Sequence, residues 1–198
     1  MIDAAAAAIE SGRLAIVPTD TVYGLAMTPH REEAVRGLYA AKGRQDMQPT
    51  ALVARDLETL VEVVPELHGR SSAVADALLP GPFTLVLPNP ARRYPWLTGT
   101  TPEAIGVRIP DLEGPGREVL ARVGVYAATS ANLPGGRDPA SLDDVPEELR
   151  RAVDALVDGG VLPGTASTVL DLTGAEPRVL RDGAARADEA LRVVASLD

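Results

Sequence analysis

The apolar residues of this chain follow two rhythms. One is a set of short unbroken runs: LAIV at 14–17, ALV at 51–53, FTLVL at 83–87, VYAA at 125–128 and TVLDL at 168–172. Runs this short, bounded by Gly, Pro or polar clusters, predict strands. Ile105, Val107 and Ile109 instead alternate with Gly106 and Arg108, which predicts a half-buried strand. A last strand over 178–180 forms a hairpin with 168–172 across Gly174 in this reading.

The second rhythm is helical. Residues 2–11 are alanine-rich, with Gly12 as the C-cap. Ala34, Val35, Leu38 and Ala41 share a face, behind a Thr28-Pro29 start and before a stop at Gly43. Asp56 caps a helix carrying Leu57, Leu60, Val61 and Val64, which Pro65 ends. A further helix runs to about Leu79 and is broken by PGP at 80–82. Helices follow over 115–123 and 146–157, the second stopped by Gly159-Gly160, and a terminal one starts at Asp188. Segments 88–103 and 129–139 read as loops, the first anchored by Trp96. Strands and helices mix without strict alternation. The reading is therefore an α/β chain, one domain over 1–198, with a mixed sheet flanked by helices.

Composition narrows this picture. The 198 residues are 45% hydrophobic and 24% charged, ordinary for one soluble domain. No apolar run approaches the ~20 residues of a membrane helix, and MIDAAAAAIESG lacks the basic start of a signal peptide. The expectation is a cytoplasmic protein with no membrane role. Cysteine is absent, which excludes disulfides, a thiolate nucleophile and Cys-ligated metal. The net charge of −9 argues against a broad nucleic-acid surface but leaves room for a local basic cleft. Lys42 is the single lysine among 19 cations, the others being arginine. A compact point charge is one reason to keep a lysine there, and chance is the other.

The stretch SGRLAIVPTDTVYGL, 11–25, concentrates the candidate chemistry. A buried strand ends at Pro18, and Thr19, Asp20, Thr21 and Tyr23 follow. Such an end either closes a hairpin or presents a site on a rigid support. Lys42-Gly43-Arg44 sits where a helix ends, so its charges either complement the helix dipole or bind an anion. Arg108 is either solvated or an anion ligand. Ser130-Ala131-Asn132 and Ser167-Thr168 flank strands, and Arg181 ends one. His30 and His68 read as solvated, and no phosphate loop, dinucleotide fingerprint, nucleophile elbow or HExxH motif is present.

Taken in order, PTDTVYGL, AAKGR with Pro49 after it, PGPFTLVLP, GVRIP, TSAN, STVLDL and VLRDG resemble the YrdC/TsaC family of threonylcarbamoyl-AMP synthases, over residues 5–183 and in the short form of the family. The resemblance implies a twisted mixed sheet with a concave, electropositive cleft. It implies an enzyme, a nucleotidyltransferase that joins L-threonine, bicarbonate and ATP into threonylcarbamoyl-AMP and pyrophosphate. Mg²⁺ would be held mainly by the ATP phosphates, with no protein metal site. The product would feed threonylcarbamoyl modification of tRNA through downstream partner proteins. By the same resemblance Thr21, Arg108, Ser130 and Ser167 hold threonine; Arg44, Gln48, Asn132 and Arg181 hold ATP; Lys42 and Arg44 form the pair required for activity. Gln45, Val53, Ala104, Ala140, Ala166 and Asp182 depart from the family pattern. They leave open a relative that uses another amine; an RNA-binding module using the same cleft is a further alternative.

Overall fold

The computed structural model describes residues 1–43 and 48–197. Its elements in order are α1 (Ile2–Glu10), β1 (Ala15–Pro18), β2 (Tyr23–Met27), α2 (Glu32–Ala41), β3 (Ala51–Ala54), α3 (Leu57–Val63) and α4 (Arg70–Leu78). Next come β4 (Phe83–Pro88), β5 (Ala104–Arg108), α5 (Gly114–Val123), β6 (Val125–Ser130) and α6 (Glu147–Ala152). The chain closes with β7 (Ala155–Leu156), β8 (Thr168–Asp171), β9 (Arg178–Arg181) and α7 (Ala187–Ala195).

Among the described residues the strands form one nine-stranded mixed sheet, in the order β7-β1-β2-β6-β3-β5-β4-β8-β9. β1 and β2 are an antiparallel hairpin, so residues 19–22 both close a hairpin and present the polar cluster. β3 runs parallel to β5 and antiparallel to β6, with Val53 paired to Arg108 on one side and to Tyr126 on the other.

The two faces are covered unequally. On one, α2, α3, α4, α6 and α7 bury a core that takes in Ile16, Leu25, Leu52, Leu85, Val107 and Leu170. On the other, α1 and α5 pack together and cover the β7-β1-β2 end and parts of β6 and β3, where Val53 joins the cluster. Alternation along each strand then sends every second side chain of the remaining sheet into open space. On β5, Ile105 and Val107 enter the large core while Ala104, Gly106 and Arg108 face the open side. That half-covered face is the cleft.

Several element boundaries depart from the sequence reading. α2 starts at Glu32, not behind Thr28-Pro29, because the Pro29 carbonyl accepts from the Trp96 indole at 2.9 Å. The predicted helix over 146–157 ends at Ala152, and residues 155–156 add a parallel strand beside β1. Thr129 and Ser130 belong to β6 rather than to a loop. β2 has no counterpart in the reading. Among the described residues no helix is long and apolar enough to cross a membrane.

Candidate active site

The uncovered sheet face holds a cavity of about 540 Å³, within the usual range for a small-molecule site. Its floor is made of small side chains, among them Ala51, Ala104, Gly106 and Ala128, which leave the depth. Its walls carry hydroxyls and arginines: Thr19, Thr84, Ser130, Ser167, Arg108 and Arg181. One carboxylate, Asp171, reaches it among the described residues, and Arg178 and Thr173 already occupy that group.

The hairpin turn at 19–22 holds one wall. Thr19 Oγ1 donates to the Val22 carbonyl at 2.6 Å and accepts from the Thr21 and Val22 amides at 3.2 Å. This closed loop fixes Asp20 over the end of β5. Asp20 Oδ1 accepts from Arg108 Nη2, and Thr21 Oγ1 lies 3.3 Å from the same nitrogen. Burial pushes the Asp20 carboxyl above its ordinary pKa, while Arg108 and the Asp111 amide oppose that rise.

The opposite wall is built around Ser167. Its Oγ lies 2.8 Å from Thr84 Oγ1 and accepts from Arg181 Nη2 at 3.1 Å, and its carbonyl accepts from Arg181 Nε at 3.0 Å. The turn after β9 presses against this segment. A Cβ on Gly183 would stand 2.3 Å from the Ala166 carbonyl oxygen, so only glycine fits. Burial lowers the pKa of Arg181, and the like charge of Arg108 lowers it further against the opposing pull of Asp138. Two guanidinium groups thus face one cavity and repel each other, an arrangement that an anion would relieve.

Behind the Ser130 wall lies the lysine. Lys42 caps α2 and is fully buried. Its Nζ donates to the Ser130 carbonyl at 2.6 Å, to Asn132 Oδ1 at 3.1 Å and to Thr129 Oγ1 at 3.5 Å. Asn132 Oδ1 also accepts from Ser130 Oγ, and its amide donates to the Gly136 carbonyl.

Residues singled out along the chain therefore gather in one region. Arg108, Ser130, Ser167 and Arg181 line the cavity. Thr21, Lys42 and Asn132 stand directly behind lining residues. Gln48 is exposed, with its carbonyl bonded to the Tyr39 hydroxyl and Pro49 next to it on the cavity wall. Arg44 lies outside the described residues. Thr84, Thr98 and Thr101 were not legible as site residues, because lone hydroxyls carry no motif; Asp20 was read as part of the polar cluster after β1, but its pairing with Arg108 across 88 positions was not.

Comparison with known proteins adds independent findings. The Sua5–YciO–YrdC family model, described as telomere recombination, matches residues 7–183. The chain is 33% identical over 194 residues to the threonylcarbamoyl-AMP synthase of Pyrococcus abyssi, covering 98% of this chain and 57% of that protein. It is 34% identical over 183 residues to a putative threonylcarbamoyl-AMP synthase of Mycobacterium tuberculosis, covering 92% of this chain and 83% of that protein. Among solved structures, that of P. abyssi Sua5 complexed with L-threonine superposes with a TM-score of 0.83 at 32% identity, over 97% of this chain and 56% of that one. The chain thus spans little more than half of the P. abyssi protein.

Proposed function

We propose, on the premise that this chain belongs to the Sua5–YciO–YrdC family, that it joins L-threonine, bicarbonate and ATP into L-threonylcarbamoyl-AMP and pyrophosphate. The product would supply threonylcarbamoyl modification of tRNA through partner proteins. One observation supports the reading most: Arg108 and Arg181 approach the same cavity from opposite walls, each fastened beside hydroxyls.

The chemistry asks for positioning and charge neutralisation more than for a nucleophile. The threonine amine attacks the carbon of bicarbonate, water leaves, and a carbamate forms. A carbamate oxygen then attacks the α-phosphorus, the bond to the β-phosphate oxygen breaks, and pyrophosphate departs. Arg108 binds the threonine carboxylate, with Ser130 and Ser167 fixing the rest of the amino acid. Arg181 faces the nucleotide phosphates. Lys42 and Asn132 hold the Ser130 wall in register. The described residues offer no group of three or more His, Cys, Asp or Glu for a metal. Mg²⁺ would come held mainly by the ATP phosphates.

The deciding experiment is pyrophosphate release measured with each substrate omitted in turn. Release that requires threonine, bicarbonate and ATP together supports the proposal; ATP turnover indifferent to threonine overturns it. A second reading, a different amine substrate, draws on the valines that also line the cavity, Val53, Val86 and Val169. Stimulation by another amino acid above that by threonine would establish it.

A further inference from the structure

We infer that Asp20 is a positioning residue that sets the pose in which Arg108 meets the amino acid carboxylate, an inference that rests on the reading above. Arginine has a long flexible side chain, and holding it in one pose costs entropy unless contacts fix it. At the end of β5, Arg108 has two such contacts, and both fall on Nη2: the Asp20 carboxylate and Thr21 Oγ1 at 3.3 Å. Nε is buried with no hydrogen-bond partner among the described residues, and no hydrogen bond there falls on Nη1. The guanidinium is thus held at one corner and left unpaired at another, on a residue that lines the cavity.

Asp20 is itself tied to the strand end that carries Arg108. Its Oδ2 accepts from the Asp111 amide at 3.3 Å, three residues beyond Arg108. The side chains of Arg108 and Asp20 are only 11% and 7% exposed, so solvent does little to loosen the pair. A buried carboxylate pairing with a buried arginine from 88 positions away joins the hairpin turn to β5. The turn and the carboxylate ligand then move as one body.

The test uses Asp20→Asn in the full chain. Asparagine keeps the shape and an acceptor oxygen but removes the charge. The expected result is a threonine KM raised roughly tenfold or more, as for loss of a charge-assisted contact, with the ATP KM within about twofold. A KM for threonine that stays put, or that rises in step with the KM for ATP, overturns the inference. Thr21→Val removes the longer contact, together with the 3.1 Å bond to Thr19 Oγ1, and leaves the Asp20 pair intact; it is expected to shift the threonine KM by less than Asp20→Asn does. An independent readout is the ¹⁵N spectrum of the Arg108 guanidinium, identified by its loss in Arg108→Lys. Slow rotation in the parent and fast rotation in Asp20→Asn support the anchor; equal rotation overturns it. If the parent releases no pyrophosphate with threonine, the functional reading fails, while the guanidinium spectrum still decides whether Asp20 holds Arg108.

Discussion

At the scale of single residues, the Arg108–Asp20 pair is buried, so truncating one member alone costs stability. Arg108→Ala strands a buried carboxylate, and breaking such a pair costs about 3–5 kcal/mol. The double variant Asp20→Asn with Arg108→Gln leaves two neutral amides and is expected to regain most of that loss. Urea unfolding of both variants checks this, and additive losses would show that the two side chains are not coupled. Tyr126 behaves in the opposite way. Its hydroxyl is fully buried next to this pair, on the far side of Val53, and has no hydrogen-bond partner among the described residues. Burial and the Asp20 charge favour its protonated form, while Arg108 opposes them. Removing an unsatisfied hydroxyl relieves a desolvation cost of about 1–3 kcal/mol, so Tyr126→Phe is expected to raise the urea midpoint. A lowered midpoint would mean that the hydroxyl has a partner in solution.

At the scale of elements, α3 offers a clean pH test. Asp56 caps it by accepting from the Thr59 amide at 2.7 Å and pairs with Arg55. Hydrogen bonds from Arg55 and Thr59 hold its pKa down to about 2. The folded value lies below the unfolded one, so the stabilisation is present above the ordinary carboxylate range and lost as pH falls through the folded value. Asp56→Ala should cost about 1 kcal/mol at neutral pH, discounted for exposure, and progressively less below pH ~4. Equal losses at pH 7 and pH 3 would refute the cap as the source. That cap was legible in advance because its signal is local: an Asp followed by apolar residues at helical spacing. The same holds for the alternation on β5, which separates Arg108 from Ile105 and Val107. β7 was not legible, since two residues beside β1 are set by partner and not by pattern. β2 is buried at every position and contains Gly24, so neither alternation nor a clear run marked it. For the site, the strand ends were readable as polar. Which of them lie behind the wall, as Lys42 and Asn132 do, depends on long-range packing that no local rule contains.

At the scale of the whole molecule, a cationic cleft sits in a body of net charge −9. The two fields act at different ranges. Many arginines outside the cleft are tied in surface pairs, such as Arg13 with Asp154, Arg92 with Glu103 and Arg186 with Asp188. Beyond the rim an approaching nucleotide, ATP in the proposed reaction, would therefore meet mainly the excess of acids. Inside, it meets the buried Arg108 and the more exposed Arg181. Mobile ions screen the outer field over a Debye length of about 30 Å at 0.01 M and about 8 Å at 0.15 M, and reach a buried charge such as Arg108 far less. The association rate of a fluorescent ATP analogue should therefore rise with added salt and level off near physiological strength. Arg178, 70% exposed in its side chain at the cavity edge and paired with Asp171, contributes at the crossing point between the two fields. Arg178→Gln should slow association more than it speeds dissociation, as rim charges do. Stopped-flow measurement across that salt range separates the cases: an association rate that falls as salt is added would mean that the cleft's field extends past its rim and outweighs the −9 body.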